Sequence, residues 1–195
     1  LRYFTHAEWA AIDAQLAEPY RTLVELACFS GLRWGELAGL HGDAVDLARG
    51  EVHVRRVLTR DGLREYGKSE RSHRSVPLRP QLQVALAPLV AASRSHSQRL
   101  VFVGQPKGDA EPRELDETNF RSRVWRGALE RAGVDYAPPH TCRHTAASWL
   151  VQAGVPLTTV QELLGHESYS TTLRYSHLAP SAHDAVRAAW EEMAG

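Results

Sequence analysis

Two short stretches near the C-terminal end of this chain combine residue types that could act together on a phosphate. In the first, His140 and Arg143 lie three positions apart, and in the second His166 is followed by Tyr175 nine positions later. Imidazoles can move protons, and a guanidinium binds phosphate oxygens through a planar fork of N–H donors. A phenol has an unperturbed pKa near 10, so it becomes a nucleophile on a phosphate where a proton acceptor and a positive field surround it.

The first stretch is predicted to open a helix. Pro138 and Pro139 cannot extend a preceding helix, so a new helix should begin just after them. His140, Arg143 and His144 would then share one face of its first turn. A helix N-terminus attracts anions, and an arginine placed there makes a phosphate site.

Two other interpretations of the first stretch stay open at this point. It could be no more than a capped, solvated helix start. It could also bind zinc, because His140 and His144 are four positions apart and Cys142 lies near them. The zinc interpretation is the weaker one, since the glutamate of the usual helical metalloprotease motif is missing and Arg143 would repel a cation.

The second stretch is ambiguous when it is taken alone. His166 follows a glycine at the end of an amphipathic pattern, and such a histidine is more often packed or solvated than functional. Tyr175 falls well inside a predicted helix, where an aromatic residue usually belongs to the core. The chemical interpretation therefore depends on both stretches and on residues farther upstream.

The elements that must position these residues are mostly helices. Thr5 and Glu8 form a capping box at the start of the first helix, and Gly31 is predicted to end the second. A short helix follows through residues 33–37. Further helical patterns cover about 80–95, 116–132, 141–153, 157–164 and 170–178, and a last helix starts near Ser181. Glycines 133, 154 and 165 stand where helices should end.

The stretch from about residue 44 to 78 has a different pattern. Val52 and Val54 alternate with polar residues, Asp61-Gly62 is a turn signal, and Ser75-Val76-Pro77 reads as the end of a strand. Two or three short antiparallel strands fit this stretch. We therefore predict a mostly α-helical α+β fold with one small antiparallel sheet, in one domain.

Length and composition are those of an ordinary soluble domain. The chain has 195 residues, of which 43% are hydrophobic and 24% charged, enough for one well-buried core. No apolar run reaches the roughly 18 residues of a membrane span, so no membrane partner is expected. Two cysteines do not make a disulfide framework, which favours a reducing, cytoplasmic location.

The charge is unevenly distributed although the net charge is zero. Residues 52–79 hold eight basic and three acidic side chains, a net of +5. A local basic strip can bind phosphates even in a neutral protein.

Four motifs, in order along the chain, resemble those of the tyrosine recombinases, the phage integrase family. Residues 140–145 and 164–177 are similar to the C-terminal signature of the family. Residues 30–37 resemble its first arginine motif, and 68–78 resemble its hairpin lysine with the strand ending in Val-Pro-Leu. The likeness runs from about residue 4 to 178. It implies that residues 1–195 form the catalytic domain and that the separate N-terminal DNA-binding domain of family members lies outside this chain.

The resemblance implies a nucleophile and a phosphate clamp. Tyr175 would attack a DNA phosphodiester and leave a 3′-phosphotyrosyl link, while Arg33 and Arg143 would bind the non-bridging oxygens. Guanidinium forks match the extra charge that those oxygens carry in the transition state.

The remaining roles concern proton transfer. By the same resemblance His166 would donate a further hydrogen bond to the phosphate, and His140 would act as general base or proton relay. Lys68 would be the acid that protonates the departing 5′-oxygen, since an alkoxide is a poor leaving group. His144 and His177 also match the pattern and are expected to support the site without acting directly. Arginines would supply the charge that Mg²⁺ supplies elsewhere, so no metal, ATP or cofactor is expected.

Further expectations concern binding and packing. Arg55, Arg56, Arg71 and Arg74 are predicted to contact the phosphate backbone of double-stranded DNA, although a solvated strand face is the alternative. Self-association on DNA as a synaptic tetramer is implied for the full-length protein, with residues 181–193 as the element that could pack on a neighbouring subunit. Cys142 is expected to be a small buried apolar group, and Tyr169 to pack.

Two rival functions share these features. A type IB topoisomerase uses the same tyrosine chemistry to relax supercoils without exchanging partners. A non-catalytic DNA-binding relative could keep the scaffold alone.

Overall fold

The computed structural model describes residues 1–65, 74–95, 99–104 and 112–193. In these ranges the α-helices are His6–Asp13 (α1), Tyr20–Ser30 (α2), Trp34–Ala38 (α3), Pro80–Ser93 (α4), Glu117–Phe120 (α5), Arg126–Ala132 (α6), Thr141–Gln152 (α7), Leu157–Leu164 (α8), Tyr169–Leu173 (α9) and Ala182–Met193 (α10). A π-helical turn, Arg121–Trp125, joins α5 to α6, and 3-10 turns occupy Gly42–Ala44 and Ser176–Leu178. The predicted mostly helical fold is confirmed.

The antiparallel strands lie where the sequence predicts them, but they form two sheets instead of one. In the described residues they are Val45–Asp46 (β1), Glu51–Val54 (β2), Arg56–Thr59 (β3), Gly62–Glu65 (β4) and Arg74–Pro77 (β5). One sheet has the order β1-β2-β5, and β3 pairs with β4 in a separate hairpin. The hairpin closes at the predicted turn, where Thr59 pairs with Gly62, whose φ of 104° suits glycine.

Several helix ends follow from local chemistry. The Thr5 hydroxyl accepts from the Glu8 amide, and the Glu8 carboxylate accepts from the Thr5 amide, which is the predicted capping box. Gly31 and Gly165 end α2 and α8 in the left-handed conformation. These ends matter because both lie in the candidate site.

The packing of α7 connects the two parts of the core. One face of α7 packs against α2 in the main cluster of buried residues. A second, smaller cluster joins α7 and α8 to the segment that carries Tyr175, and consists of Ala147, Val151, Val160, Leu164 and Tyr175. The segment of the predicted nucleophile is therefore anchored by its own aromatic ring, which is 1% exposed.

Two expectations for this segment are wrong. The predicted helix over 170–178 ends at Leu173, and Tyr175 lies at the start of the following 3-10 turn. The chain tightens there because Tyr175 N donates to Thr172 O, at 3.0 Å, a bond of i to i−3 type. Tyr169, which was expected to pack, is 41% exposed, since it begins α9 on the solvent side.

Candidate active site

The C-terminal ends of two helices form the floor of the candidate site. Gly31 and Gly165 have φ values of 67° and 65°, so each lets the chain turn away directly after its helix. The last carbonyls of a helix lack intrahelical partners and carry partial negative charge. A Cβ on Gly165 would lie 3.0 Å from the Arg74 guanidinium. The two helix ends thus offer acceptors to arginines that approach closely.

Arg143, on the first turn of α7, bridges both helix ends. Its Nη1 donates to the carbonyl of Gly31 at 2.6 Å, and its Nη2 donates to that of Leu164 at 2.7 Å. The residue is 3% exposed. Burial, and then the charge of Arg33, lower the pKa of Arg143 to about 10, so it stays protonated at neutral pH. Of its five N–H donors, two are used by acceptors within the described ranges, which leaves donors for an anion.

Arg33 and Arg74 share one buried carboxylate. Glu36 is 2% exposed and accepts from Arg74 Nη1 at 3.0 Å, from Arg74 Nη2 at 2.8 Å and from Arg33 Nη1 at 3.2 Å. Arg33 Nη2 also donates to Gly165 O at 3.1 Å, and Arg74 Nε donates to Leu163 O at 2.8 Å. Burial raises the pKa of Glu36, but the hydrogen bonds and charges of Arg74 and Arg33 together outweigh it and hold that pKa below its usual value. The carboxylate therefore fixes both guanidinium groups.

The two arginines differ in what they present to a ligand. The side chain of Arg33 is 41% exposed, whereas that of Arg74 is 9% exposed. All three nitrogens of the Arg74 guanidinium bond to Glu36 or Leu163. This geometry favours a positioning role for Arg74 over the DNA contact predicted from the sequence.

The other predicted DNA contacts lie around the hairpin. Arg55 is exposed between β2 and β3. Arg56 forms ion pairs with Asp43 at 3.1 Å and Glu65 at 3.3 Å, so it ties the hairpin to the turn before β1. Lys68 and Arg71 lie outside the described residues, and their predicted roles stay predictions.

His166 directly follows the left-handed glycine that ends α8. Its Nδ1 shares a hydrogen bond with the Thr172 hydroxyl at 2.9 Å, and the residue is 9% exposed. Burial, and then the charges of Arg143 and Arg33, lower the pKa of His166 to about 4. The ring is therefore neutral at pH 7. In the tautomer whose Nδ1 accepts from the Thr172 hydroxyl, Nε2 carries the proton and can donate to an anion beside the arginines.

The hydroxyl of Tyr175 is held by a histidine that was expected to play a supporting part. His144 Nδ1 lies 2.7 Å from Tyr175 Oη, a hydrogen-bond distance. The ring of His140 meets that of His144 edge to face, with centroids 4.8 Å apart. Burial raises the pKa of Tyr175, while the charges of Arg174 and Arg143 lower it, and burial prevails. In this structure the Tyr175 hydroxyl bonds to His144, and His140 contacts the ring of His144. His177 is exposed in the 3-10 turn after Tyr175.

The zinc interpretation of residues 140–144 finds no support in the geometry. Cys142 is 2% exposed. Burial raises the pKa of the Cys28 thiol, and the neighbouring thiol of Cys142 raises it further. Cys142 thus lies in the core, as predicted. Within the described ranges no group of three His, Cys, Asp or Glu side chains is placed to hold a metal ion.

Sequence reasoning missed one residue of the site, Glu36, and expected only a supporting part for His144. Glu36 stands three positions after Arg33, which is the acidic position of a capping box, and its carboxylate accepts from the Arg33 amide at 2.7 Å. His144 lies one helical turn beyond His140 on the same face, so its nearness was readable. Its bond to Tyr175 was not readable, because that bond depends on how the segment after α9, with the 3-10 turn at Ser176–Leu178, packs against α7.

Comparisons with known proteins identify the family of this chain. The pattern of the phage integrase family matches residues 3–182. The integrase of Salmonella phage P22 is 29% identical over 186 residues, which cover 93% of this chain and 45% of that protein. Tyrosine recombinase XerC of Xylella fastidiosa (strain M23) is 35% identical over 166 residues, covering 85% of this chain and 51% of the relative. The chain therefore spans about half the length of these curated relatives.

Solved structures show the same fold. The crystal structure of XerA recombinase superposes with a TM-score of 0.73 at 23% identity, covering 99% of this chain and 64% of that one. The catalytic domain of bacteriophage HP1 integrase gives 0.64 at 21% identity, covering 95% and 92%.

The helical fold of this chain, which brings together a tyrosine, histidines and fixed arginines, is that of the tyrosine recombinase class. The match over residues 3–182 shows that the chain belongs to the phage integrase family.

Proposed function

We propose that this chain is the catalytic domain of a site-specific tyrosine recombinase that cuts and rejoins double-stranded DNA through Tyr175. The observation that carries the proposal is the Tyr175 hydroxyl, bonded at 2.7 Å to a histidine whose helix also carries the buried Arg143. Family membership supports the same chemistry. A DNA substrate fits the cytoplasmic location predicted from the sequence, and in the described part of the chain no helix is long and apolar enough to cross a membrane.

Each step of the proposed cleavage has a residue. Arg33 and Arg143 bind the non-bridging oxygens, and their guanidinium groups are already fixed by helix carbonyls, so little reorganisation is needed as charge develops. His166 adds a neutral N–H donor. Tyr175 attacks the phosphorus, the bond to the 5′-oxygen breaks, and Lys68 is the candidate that protonates this oxygen. The phosphotyrosyl bond stores the energy of the ester, which permits religation without ATP.

A surface for self-association is available on α10. Val186, Trp190 and Met193 are 44%, 66% and 83% exposed, at spacings of four and three that align them on one helical face. Exposed apolar faces of this kind mark contacts with other proteins. This observation supports residues 181–193 as the element that docks on a second copy of the protein in a synaptic assembly on DNA.

The test is covalent capture. Duplexes that this protein binds are first selected from a random-sequence pool, and a nick is placed so that the short cleaved product diffuses away. Wild type should form a protein–DNA adduct that survives denaturation, and Tyr175→Phe should form none. A wild type that binds the selected duplexes and forms no adduct would contradict the enzyme and favour a non-catalytic DNA-binding protein.

A second assay separates recombination from relaxation. Supercoiled plasmids with and without the selected site are incubated with wild type. We expect strand exchange between two sites and dependence on the site. Efficient relaxation of the plasmid without the site, with no exchanged products, would instead indicate a topoisomerase.

A further inference from the structure

The phenol of Tyr175 and the rings of His144 and His140 lie next to one another in this site. Tyr175 Oη lies 2.7 Å from His144 Nδ1, and the His144 ring meets that of His140 edge to face. His144 is thus the histidine in direct contact with the phenol. A general base must lie within hydrogen-bond reach of the proton that it removes, at roughly 2.6–3.2 Å. By that geometric criterion His144 fits the part of the base better than His140.

The surroundings favour His144 as a neutral acceptor. Its side chain is half-buried on the first turns of α7. Burial, and then the neighbouring His140, Arg174 and Arg143, lower the pKa of His144 to about 4. The ring of His144 is therefore neutral at pH 7. In the tautomer that carries its hydrogen on Nε2, Nδ1 can accept from the Tyr175 hydroxyl.

Binding of DNA would raise the pKa of His144. A phosphodiester placed on Arg33 and Arg143 adds a negative charge next to His144 and offsets the cations that disfavour its protonation. An imidazolium would therefore be easier to form in the complex than in the free protein. Such a base is weak while the site is empty and gains strength when the substrate is in place.

We propose that His144, rather than His140, takes the phenolic proton when Tyr175 attacks DNA. The inference rests on the proposed function. In the step, the phenolic O–H bond breaks and its proton moves to Nδ1 of His144, the Tyr175 oxygen bonds to phosphorus, and the 5′-oxygen leaves with a proton from the general acid, for which Lys68 is the candidate. On religation the same proton returns to the phenol. His140 packs against the ring of His144 and orients it.

Three variants separate a base from a structural contact. His144→Ala removes the acceptor, and His144→Asn keeps an acceptor oxygen near the position of Nδ1 but cannot take a proton. His140→Ala is the matched histidine deletion one turn earlier. We expect cleavage of the nicked duplex to slow by about 10²–10⁴-fold in both His144 variants, and added imidazole to restore part of the rate to His144→Ala. In His140→Ala the loss should be smaller and imidazole should have little effect.

A second experiment changes the acidity of the nucleophile. Fluorinated tyrosine at position 175 has a more acidic phenol, so it needs less help from a base. It should restore cleavage to His144→Ala more than it speeds wild type. The proposal is overturned if His144→Ala cleaves within about threefold of wild type, or if imidazole and fluorotyrosine rescue His140→Ala and not His144→Ala.

The two proposals fail in different ways. If wild type forms no adduct, the proposed function fails and the role of His144 fails with it. If wild type cleaves and the His144 variants behave like wild type, the function stands and this inference alone is wrong. Circular dichroism and urea unfolding of each variant confirm that a slow protein is a folded one.

Discussion

The buried pair of Glu36 and Arg74 should be the most sensitive polar contact of the site. Their side chains are 1% and 9% exposed, and the carboxylate receives two bonds from Arg74 and two from Arg33. Glu36→Gln keeps the shape of the side chain and removes its charge. The Arg74 guanidinium would then remain buried without an opposing charge from the described residues around it.

The expected loss in the free energy of unfolding follows from the kind of ion pair that is broken. Breaking a buried ion pair by removing one partner costs about 3–5 kcal/mol, because the other charge stays buried. A glutamine oxygen still accepts one bond, so we expect the lower end, about 3 kcal/mol. The exposed ion pair of Asp61 and Arg64, with side chains 74% and 59% exposed, provides a matched control in which one carboxylate is neutralised. Asp61→Asn should cost less than about 1 kcal/mol.

Equilibrium unfolding in urea, followed by circular dichroism, measures both values. The free energy of unfolding is compared at equal m-values, so that a change in the unfolded state is not mistaken for a change in stability. The double variant Glu36→Gln/Arg74→Met removes the stranded charge and should recover at least about 1 kcal/mol. The reasoning is refuted if Glu36→Gln costs no more than Asp61→Asn.

Three further predictions concern phosphate binding, pH and assembly. Arg143→Lys should keep the charge but lose the bidentate fork, so adduct formation should fall by about 10²–10³-fold, and a loss under tenfold would contradict the clamp. The folded-state pKa values of His144 and His166 lie near 4, below the unfolded value of about 6.5, so their contribution to stability is present above pH 6.5 and is lost as pH falls toward 4. Allowing for solvent screening, the free energy of unfolding should drop by about 1 kcal/mol per histidine, and His166→Gln should flatten the slope in urea titrations. Trp190→Glu should weaken self-association on DNA in sedimentation experiments and leave single-site cleavage unchanged, and an unaltered assembly would exclude α10 from the contact.

Local chemistry in the sequence predicted much of the fold. The capping box at Thr5, the left-handed glycines after α2 and α8, and the hairpin turn at Gly62 each depend on residues a few positions apart, so their outcome was readable. The split into two sheets was not readable. It depends on which strands pair across the hairpin, and β2 pairs with β5 twenty or more positions away.

The candidate site, like the fold, was predicted only in part. The ordered motifs pointed to Arg33, Arg143, His166 and Tyr175, and the structure brings these residues together. What the sequence could not give is the partner of each polar atom. Glu36 holds Arg74 across 38 positions, and His144 meets Tyr175 across 31, because the packing of α7, α8 and β5 decides those contacts. Polar contacts between distant elements are fixed by tertiary packing, and no local pattern encodes them.

The central claim is that Tyr175 forms the covalent bond to DNA. The most direct measurement is to digest the trapped adduct with protease and nuclease and to locate the remaining nucleotide on the peptides by mass spectrometry. We predict a nucleotide linked through its 3′-phosphate to Tyr175, with Tyr169 unmodified. A nucleotide on Tyr169, on another residue, or linked through a 5′-phosphate would contradict the account.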